Sequence, residues 1–302
     1  MNVVFEQVFT LFIFAAVGYT LSRCGVVSTA HSKILSSLLV YVFLPCNIFR
    51  TFAANCTVAY LRDNYLTVLA SIAVLSVLAV GMEFVSRLFS KEAYERKVYR
   101  YSLIIANYGY MGYALAESLL GSAGLMNVMM FAMPLSVYTY TVGFCSLTKR
   151  GFSLKKLLNP VILAMVLGIA AGLSGISVPS VISGVMSKAS GCMAPVSMLM
   201  AGIVISEFRL KDLLCEPRTY ILSAMRLFVI PLAFGGILSL LGRREITEAA
   251  VVLLSMPCGL NTIVFPKIVG EKCEIGAGLA FISNIAACIS IPLVFTLFGI
   301  GG

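Results

Sequence analysis

The chain has 302 residues, of which 60% are hydrophobic and only 12% charged, with a formal net charge of +9. Soluble domains are about 45–50% apolar and about 25% charged, so this composition excludes a soluble globular protein and places the chain in lipid. The basic balance does not call for nucleic acid, because its distribution along the chain has a simpler cause, given below.

The first apolar run begins at once with MNVVFEQVF, and no Arg- or Lys-rich leader or small-residue cleavage site accompanies it. It reads as a retained span, not a signal peptide. A span needs about 20 mostly apolar residues, and ten stretches qualify: 3–22, 33–54, 64–86, 101–120, 124–147, 158–175, 179–206, 219–241, 248–268 and 275–299. The connections are short and leave no room for a soluble domain. Nine cysteines are scattered without a CxxC pair and read as small apolar packers.

Lys and Arg set the orientation. One set of loops carries 16 of them, including Arg87, Lys91, Arg96, Lys97 and Arg100, and Lys149, Arg150, Lys155, Lys156 and Lys272; the other set carries only Arg50, Arg62, Arg243 and Arg244. The basic loops are expected in the cytoplasm, with both termini outside. Lys188 and Arg226 remain inside spans.

The two halves, 1–150 and 151–302, resemble each other. Gly18 and Gly168 lie 150 residues apart in the first and sixth spans, and Pro45 and Pro195 lie 150 apart in the second and seventh. The fourth span (IIANYGYMGYALAE) and the ninth (LLSMPCGLNTIVFP) are both interrupted by Gly, Asn or Pro. An odd number of spans per half inverts the second half relative to the first. The expected fold is therefore an all-α integral membrane protein of ten transmembrane helices, arranged as two inverted five-helix repeats with broken, crossing helices 4 and 9.

A break deep in lipid frees N–H and C=O groups, each costing several kcal/mol if unpaired. Such backbone is tolerated where it is buried in protein or lines a cavity, and paired breaks in two halves point to a transporter binding site. Half-helix N-termini, each like roughly half a positive charge, favour a carboxylate or another anion. Asn107 and Asn261 stand at the breaks and can either bind such a ligand or cap freed backbone. Gly109, Gly112, Pro257 and Gly259 shape the breaks, and Tyr110, Tyr113 and Thr262 are candidates for the same cavity. Pro45 and Pro195 are further helix-break candidates.

Lys188 sits about ten residues into its span, where a cation costs about 2.5–3.5 kcal/mol. It either attracts an anionic substrate, takes the place of a coupling cation, or snorkels outward. Glu117 either takes up a proton or is solvated at the interface. Arg226 is expected to pair with Glu83. No Asp or Glu stands at the centre of either broken span, which argues against a carboxylate-based sodium site and leaves proton coupling open. GIAAG (Gly168 to Gly172) has the GxxxG spacing of a helix-packing, possible dimer face.

No HExxH, GxSxG or Walker A sequence occurs, so neither an enzyme nor an ATP-driven pump is expected, and no metal or cofactor. The residues point to a gradient-driven carrier. A channel, or a membrane sensor without flux, are the rival readings.

LLVYVFLPCNIFRTF (Leu38 to Phe52), NYGYMG (Asn107 to Gly112) and MPCGLNT (Met256 to Thr262) resemble the second, fourth and ninth spans of the auxin efflux carrier family. Its bacterial members are often described as malate permeases or small organic-acid transporters. Where the family often has a proline after the second glycine of the fourth-span break, this chain has Tyr113. The resemblance implies a fold like that of sodium/bile-acid symporters and transport of mono- or dicarboxylates, malate or auxin-like acids. It also implies a dimerising scaffold of spans 1, 2, 6 and 7, with spans 3–5 and 8–10 sliding as an elevator driven by proton or sodium coupling. Lys188 would then lie on a scaffold span.

Overall fold

A computed structural model describes residues 2–148, 160–214, 216–269 and 273–301. The boundary expected between the two halves, and Lys149, Arg150, Lys155, Lys156 and Lys272, lie outside them. The helices in the first part are α1 (Asn2–Arg23), α2 (Ser32–Leu38), α3 (Leu44–Asn55), α4 (Val58–Phe89), α5 (Ala93–Ile104), α6 (Tyr113–Tyr138) and α7 (Phe144–Thr148). Those in the second are α8 (Pro160–Ser174), α9 (Ser180–Gly191), α10 (Met193–Ile205), α11 (Leu210–Leu214), α12 (Pro217–Ala224), α13 (Ile230–Ser239), α14 (Arg244–Leu254), α15 (Asn261–Val269) and α16 (Glu274–Leu297). Polar caps mark several starts: Thr57 accepts from the Tyr60 N–H before α4, and Glu216 from the Arg218 N–H before α12.

Seven helical runs among the described residues are long and apolar enough to cross a membrane, and Pro160–Ser174 is a shorter apolar helix. The chain is thus an all-α multi-pass membrane protein. The regions expected as the fourth and ninth spans are not continuous helices. Each is two helical pieces joined by non-helical backbone, α5 to α6 and α14 to α15. Between the expected fourth and fifth spans the chain runs on through α6 and departs from helical geometry only at Gly121, whose φ of 68° favours glycine.

Where lipid surrounds a protein, helices gain little from hiding apolar surface and associate through close packing instead. The α1–α10 and α3–α8 contacts have this character. A Cβ on Gly202 would stand 1.9 Å from the Ala15 carbonyl oxygen, and one on Gly172 would stand 2.5 Å from that of Cys56. The GxxxG face of α8 therefore packs on α3 within the chain, and its spacing is no evidence for a dimer face. Outward, α9 shows Val181 and Val185, and α4 shows Phe84 and Leu88, as expected of a surface that meets apolar surroundings.

Among the described residues, four single π-helical turns interrupt the helices: Leu39–Phe43, Tyr108–Gly112, Thr139–Gly143 and Met225–Val229. Such turns misalign the backbone ladder locally and recur at functional sites. Tyr108–Gly112 lies in the first broken segment, Thr139 Oγ1 lies 3.4 Å from the Tyr108 hydroxyl, and Arg226 reaches the Leu103 carbonyl at the end of α5.

Candidate functional site

α5 stops at Ile104, and Ile105 is extended at φ −106°, ψ 116°. α14 stops at Leu254, and a non-helical stretch leads to α15 at Asn261. The two interruptions meet as an antiparallel bridge between Ala106 and Cys258. The Asn107 N–H donates to the Pro257 carbonyl at 2.8 Å, and the Gly259 N–H to the Ile105 carbonyl at 3.4 Å. The Cys258 N–H donates to Ser283 Oγ at 3.0 Å. Each break thus uses the other to satisfy backbone groups that lipid could not. Pro257 suits its place because it has no N–H to satisfy, while its carbonyl accepts a bond. Gly259 suits its place because a Cβ there would press to 3.3 Å from the Ala106 carbonyl oxygen.

Beside the crossing lies a hollow of about 20 Å³, room for about one water. Asn107, Gly109, Tyr110, Tyr113, Gly259 and Asn261 line it together with Tyr108. Leu44 and Ile48 of α3 and Val161 of α8 close it with an apolar wall. Other lining groups are polar: the Tyr108 hydroxyl lies 3.1 Å from Ser136 Oγ and 3.4 Å from Thr139 Oγ1. The Tyr108 and Tyr113 rings stand 5.8 Å apart. Asn261 Nδ2 donates to the Tyr101 hydroxyl at 3.3 Å. Asn107 is different. It is 2% exposed, and both its amide nitrogen and its amide oxygen are buried without a hydrogen-bond partner. An unmade pair of this kind costs about 1–3 kcal/mol per group.

Among the described residues, no Lys, Arg, His, Asp or Glu lines the hollow. Its means of holding charge are neutral donors: the two asparagines, the tyrosine and serine hydroxyls, and the helix starts at Tyr108 and Asn261. Arg226, fully buried in the Met225–Val229 turn, reaches the end of α5 through the Leu103 carbonyl. It does not pair with Glu83 as the sequence implied; Glu83 accepts from Arg100 at 2.7 Å and from Arg87 at 3.0 Å.

Of the other predicted residues, Pro257 sits at the bridge, and Gly112 and Thr262 are buried beside it without lining the hollow. Thr262 Oγ1 turns back to the Gly259 carbonyl at 3.0 Å. A Cβ on Gly112 would approach Met256 Cγ to 3.1 Å. Pro45 occupies the first turn of α3, next to the lining Leu44, and Pro195 the first turn of α10, just after α9 ends at Gly191. Lys188 is exposed on α9 and has no place in the hollow. Glu117 is also outside it, paired with Arg50 of α3. The sequence reading missed Ser136, Thr139 and Tyr140, although hydroxyls at i, i+3 and i+4 in an otherwise apolar run were a usable signal.

Comparison with known proteins agrees with a membrane transport protein. A family model described as membrane transport protein matches residues 3–156 and 147–295. An uncharacterized transporter of Methanothermobacter thermautotrophicus is 23% identical, covering 95% of this chain and 96% of its own length. An uncharacterized transporter of Methanocaldococcus jannaschii is 25% identical over the same shares.

Proposed function

Because the chain belongs to the auxin efflux carrier family of membrane transport proteins, we propose that it is a secondary transporter of small organic anions, with its substrate site at the crossing of the two broken segments. The observation that carries this reading is the Asn107 amide, buried and unpartnered on the wall of a hollow formed by interrupted backbone. A packing break would have spent that amide on freed backbone; this one does not.

The substrate class is mono- or dicarboxylates, such as malate or auxin-like acids. Neutral donors and two helix starts favour an anion, and the apolar wall of Leu44, Ile48 and Val161 accepts its carbon body. The hollow is too small for such a molecule, so this conformation is a closed one. Transport requires the wall to move away.

An elevator accounts for that movement. The helix pairs that would form the scaffold, α1 with α10 and α3 with α8, pack closely at glycines, as do α13 with α14 at Gly235 and α16 with α15 at Gly276. The remaining contacts repeat between halves: α4 packs on α5 and α6, while α13 packs on α14 and α12 on α16. That repetition supports ten segments in two inverted repeats. The basic loops would face the cytoplasm, with both termini outside the cell membrane. A second copy of the chain would cover part of the exposed scaffold to make a homodimer. Coupling is to protons or sodium; the absence of a carboxylate from the described wall favours protons taken up by the substrate itself.

Counterflow in proteoliposomes tests the proposal. Vesicles preloaded with the right carboxylate should accumulate the labelled acid transiently, and Asn107→Ala should remove that accumulation. Flux that never saturates and shows no counterflow would make the protein a channel instead.

A further inference from the structure

Two of the helices that line the hollow carry a single charged residue in their whole length: Arg50 in α3 and Glu117 in α6. The two meet, with Arg50 Nη2 donating to Glu117 Oε1. Ile48 of α3 and Tyr113 of α6 line the hollow. Arg50 and Glu117 stand two and four residues further along the same helices, about 3 Å and about 6 Å of helical rise. The pair therefore ties α3 to α6 about one turn beyond the hollow. With 26% and 38% of the side chains exposed, water reaches both groups. The bond is also one-sided. Guanidinium Nε and Nη2 form one edge that fits both oxygens of a carboxylate. Glu117 takes Nη2 alone, and Arg50 Nε is buried without a partner among the described residues.

We propose that Arg50 receives the substrate's carboxylate on its way to the crossing, and that Glu117 is the carboxylate it displaces. This rests on the transport reading and adds to it a cation that the described wall of the hollow lacks. Two features favour exchange over a plain latch. An ion pair so exposed adds little to stability, so parting it costs little. An arriving carboxylate has no backbone tether and can take Nε and Nη2 together, a stronger arrangement than the single bond to Glu117. The exchange also unties α3 from α6. Arrival of the acid is thereby linked to release of the wall that Leu44 and Ile48 form.

The test is counterflow of labelled malate and labelled phenylacetate by the full chain in proteoliposomes. For whichever acid the wild type exchanges, Glu117→Gln should lower KM about threefold, because Arg50 loses its competitor. Arg50→Gln should raise KM about tenfold, the worth of one charge-assisted hydrogen bond. The double variant should match Arg50→Gln, because Glu117 acts through Arg50. Arg50→Lys, which keeps the charge but not the fork, should recover only part of the loss. A latch without a receiving role would shift KM in the same direction in both single variants, since either change breaks the pair. Shifts of one sign, or a double variant that matches Glu117→Gln, would therefore overturn the proposal. Should Arg50→Gln fail to fold, Glu117→Gln decides alone, and an unchanged or raised KM overturns it. Counterflow with shifts of one sign fells the receiving role and leaves the transport reading standing. Wild-type vesicles that exchange neither acid would fell the transport of these carboxylates, and the receiving role with it.

Discussion

Arg226 Nη1 donates to the Leu103 carbonyl at 3.2 Å, and this is the one hydrogen bond its guanidinium makes among the described residues. Leu103 lies in the last turn of α5, where the break leaves carbonyls without an intrahelical partner and the helix dipole is negative. The bond is well placed, but it does not balance the cost of a buried cation, on the order of several kcal/mol after relaxation. Arg226→Met keeps the volume and removes the charge. The expected result is a thermal midpoint equal to or above wild type, together with impaired uptake. A clear loss of stability with normal uptake would make Arg226 a structural cap.

Asn107 and Asn261 stand at equivalent breaks but differ in what they hold. Among the described residues, the Asn107 side chain has no hydrogen-bond partner, whereas Asn261 bonds to Tyr101. Asn107→Ala should therefore leave the thermal midpoint of the empty protein within about 1 kcal/mol of wild type, while the stabilisation given by a bound carboxylate disappears. Asn261→Ala should lose both ligand stabilisation and about 1 kcal/mol of the unliganded fold. Thermal shifts with and without ligand separate the two.

Arg50 of α3 pairs with Glu117 of α6, with 26% and 38% of the side chains exposed. A pair so open contributes about 0–1 kcal/mol, so Glu117→Gln should barely change stability. The pair joins a scaffold helix to a helix of the moving group in the elevator reading. Exchange rates should then rise when it is broken, and the swap Arg50→Glu with Glu117→Arg should restore them. Rates that ignore both changes would show the pair to be an idle surface contact.

The breaks themselves were legible, because Gly, Asn and Pro stand out against an apolar background at 107–112 and 257–261. Their crossing was expected too, but not the residues that join them, since the Ala106–Cys258 bridge links two unremarkable residues across space. Thr139 was missed for a related reason: its hydroxyl returns to the Leu135 carbonyl at 2.7 Å, as a packing threonine would. For Lys188 the sequence left inward and outward readings open, because position along a span gives depth but not direction, and its exposure agrees with the outward one. Arg226 misled because a sequence offers carboxylates as partners more readily than helix ends.

That exposure of Lys188 has a consequence. A side chain pointing away from the hollow can stretch along the apolar surface toward water. Lys188→Met should leave carboxylate affinity unchanged at every pH where the wild type binds. A weakened affinity, measured by titration calorimetry, would bring Lys188 back to the substrate path.

The close contact of α1 with α10 sets the last expectation. At Gly202 a Cβ would sit 1.9 Å from the Ala15 carbonyl oxygen and 2.7 Å from the Tyr19 nitrogen, and backbone offers no rotamer with which to yield. Gly202→Ala must push the two helices apart, and overpacking of this kind costs about 1–3 kcal/mol or more. Gly184, within α9, meets nothing within 4 Å. There the same change should stabilise by about 0.5–1 kcal/mol, since alanine is the better helix former. Midpoints of the two variants in one detergent should move in opposite directions. If Gly202→Ala matched Gly184→Ala, the α1–α10 contact would be looser than its geometry implies, and a rigid scaffold could not rest on it.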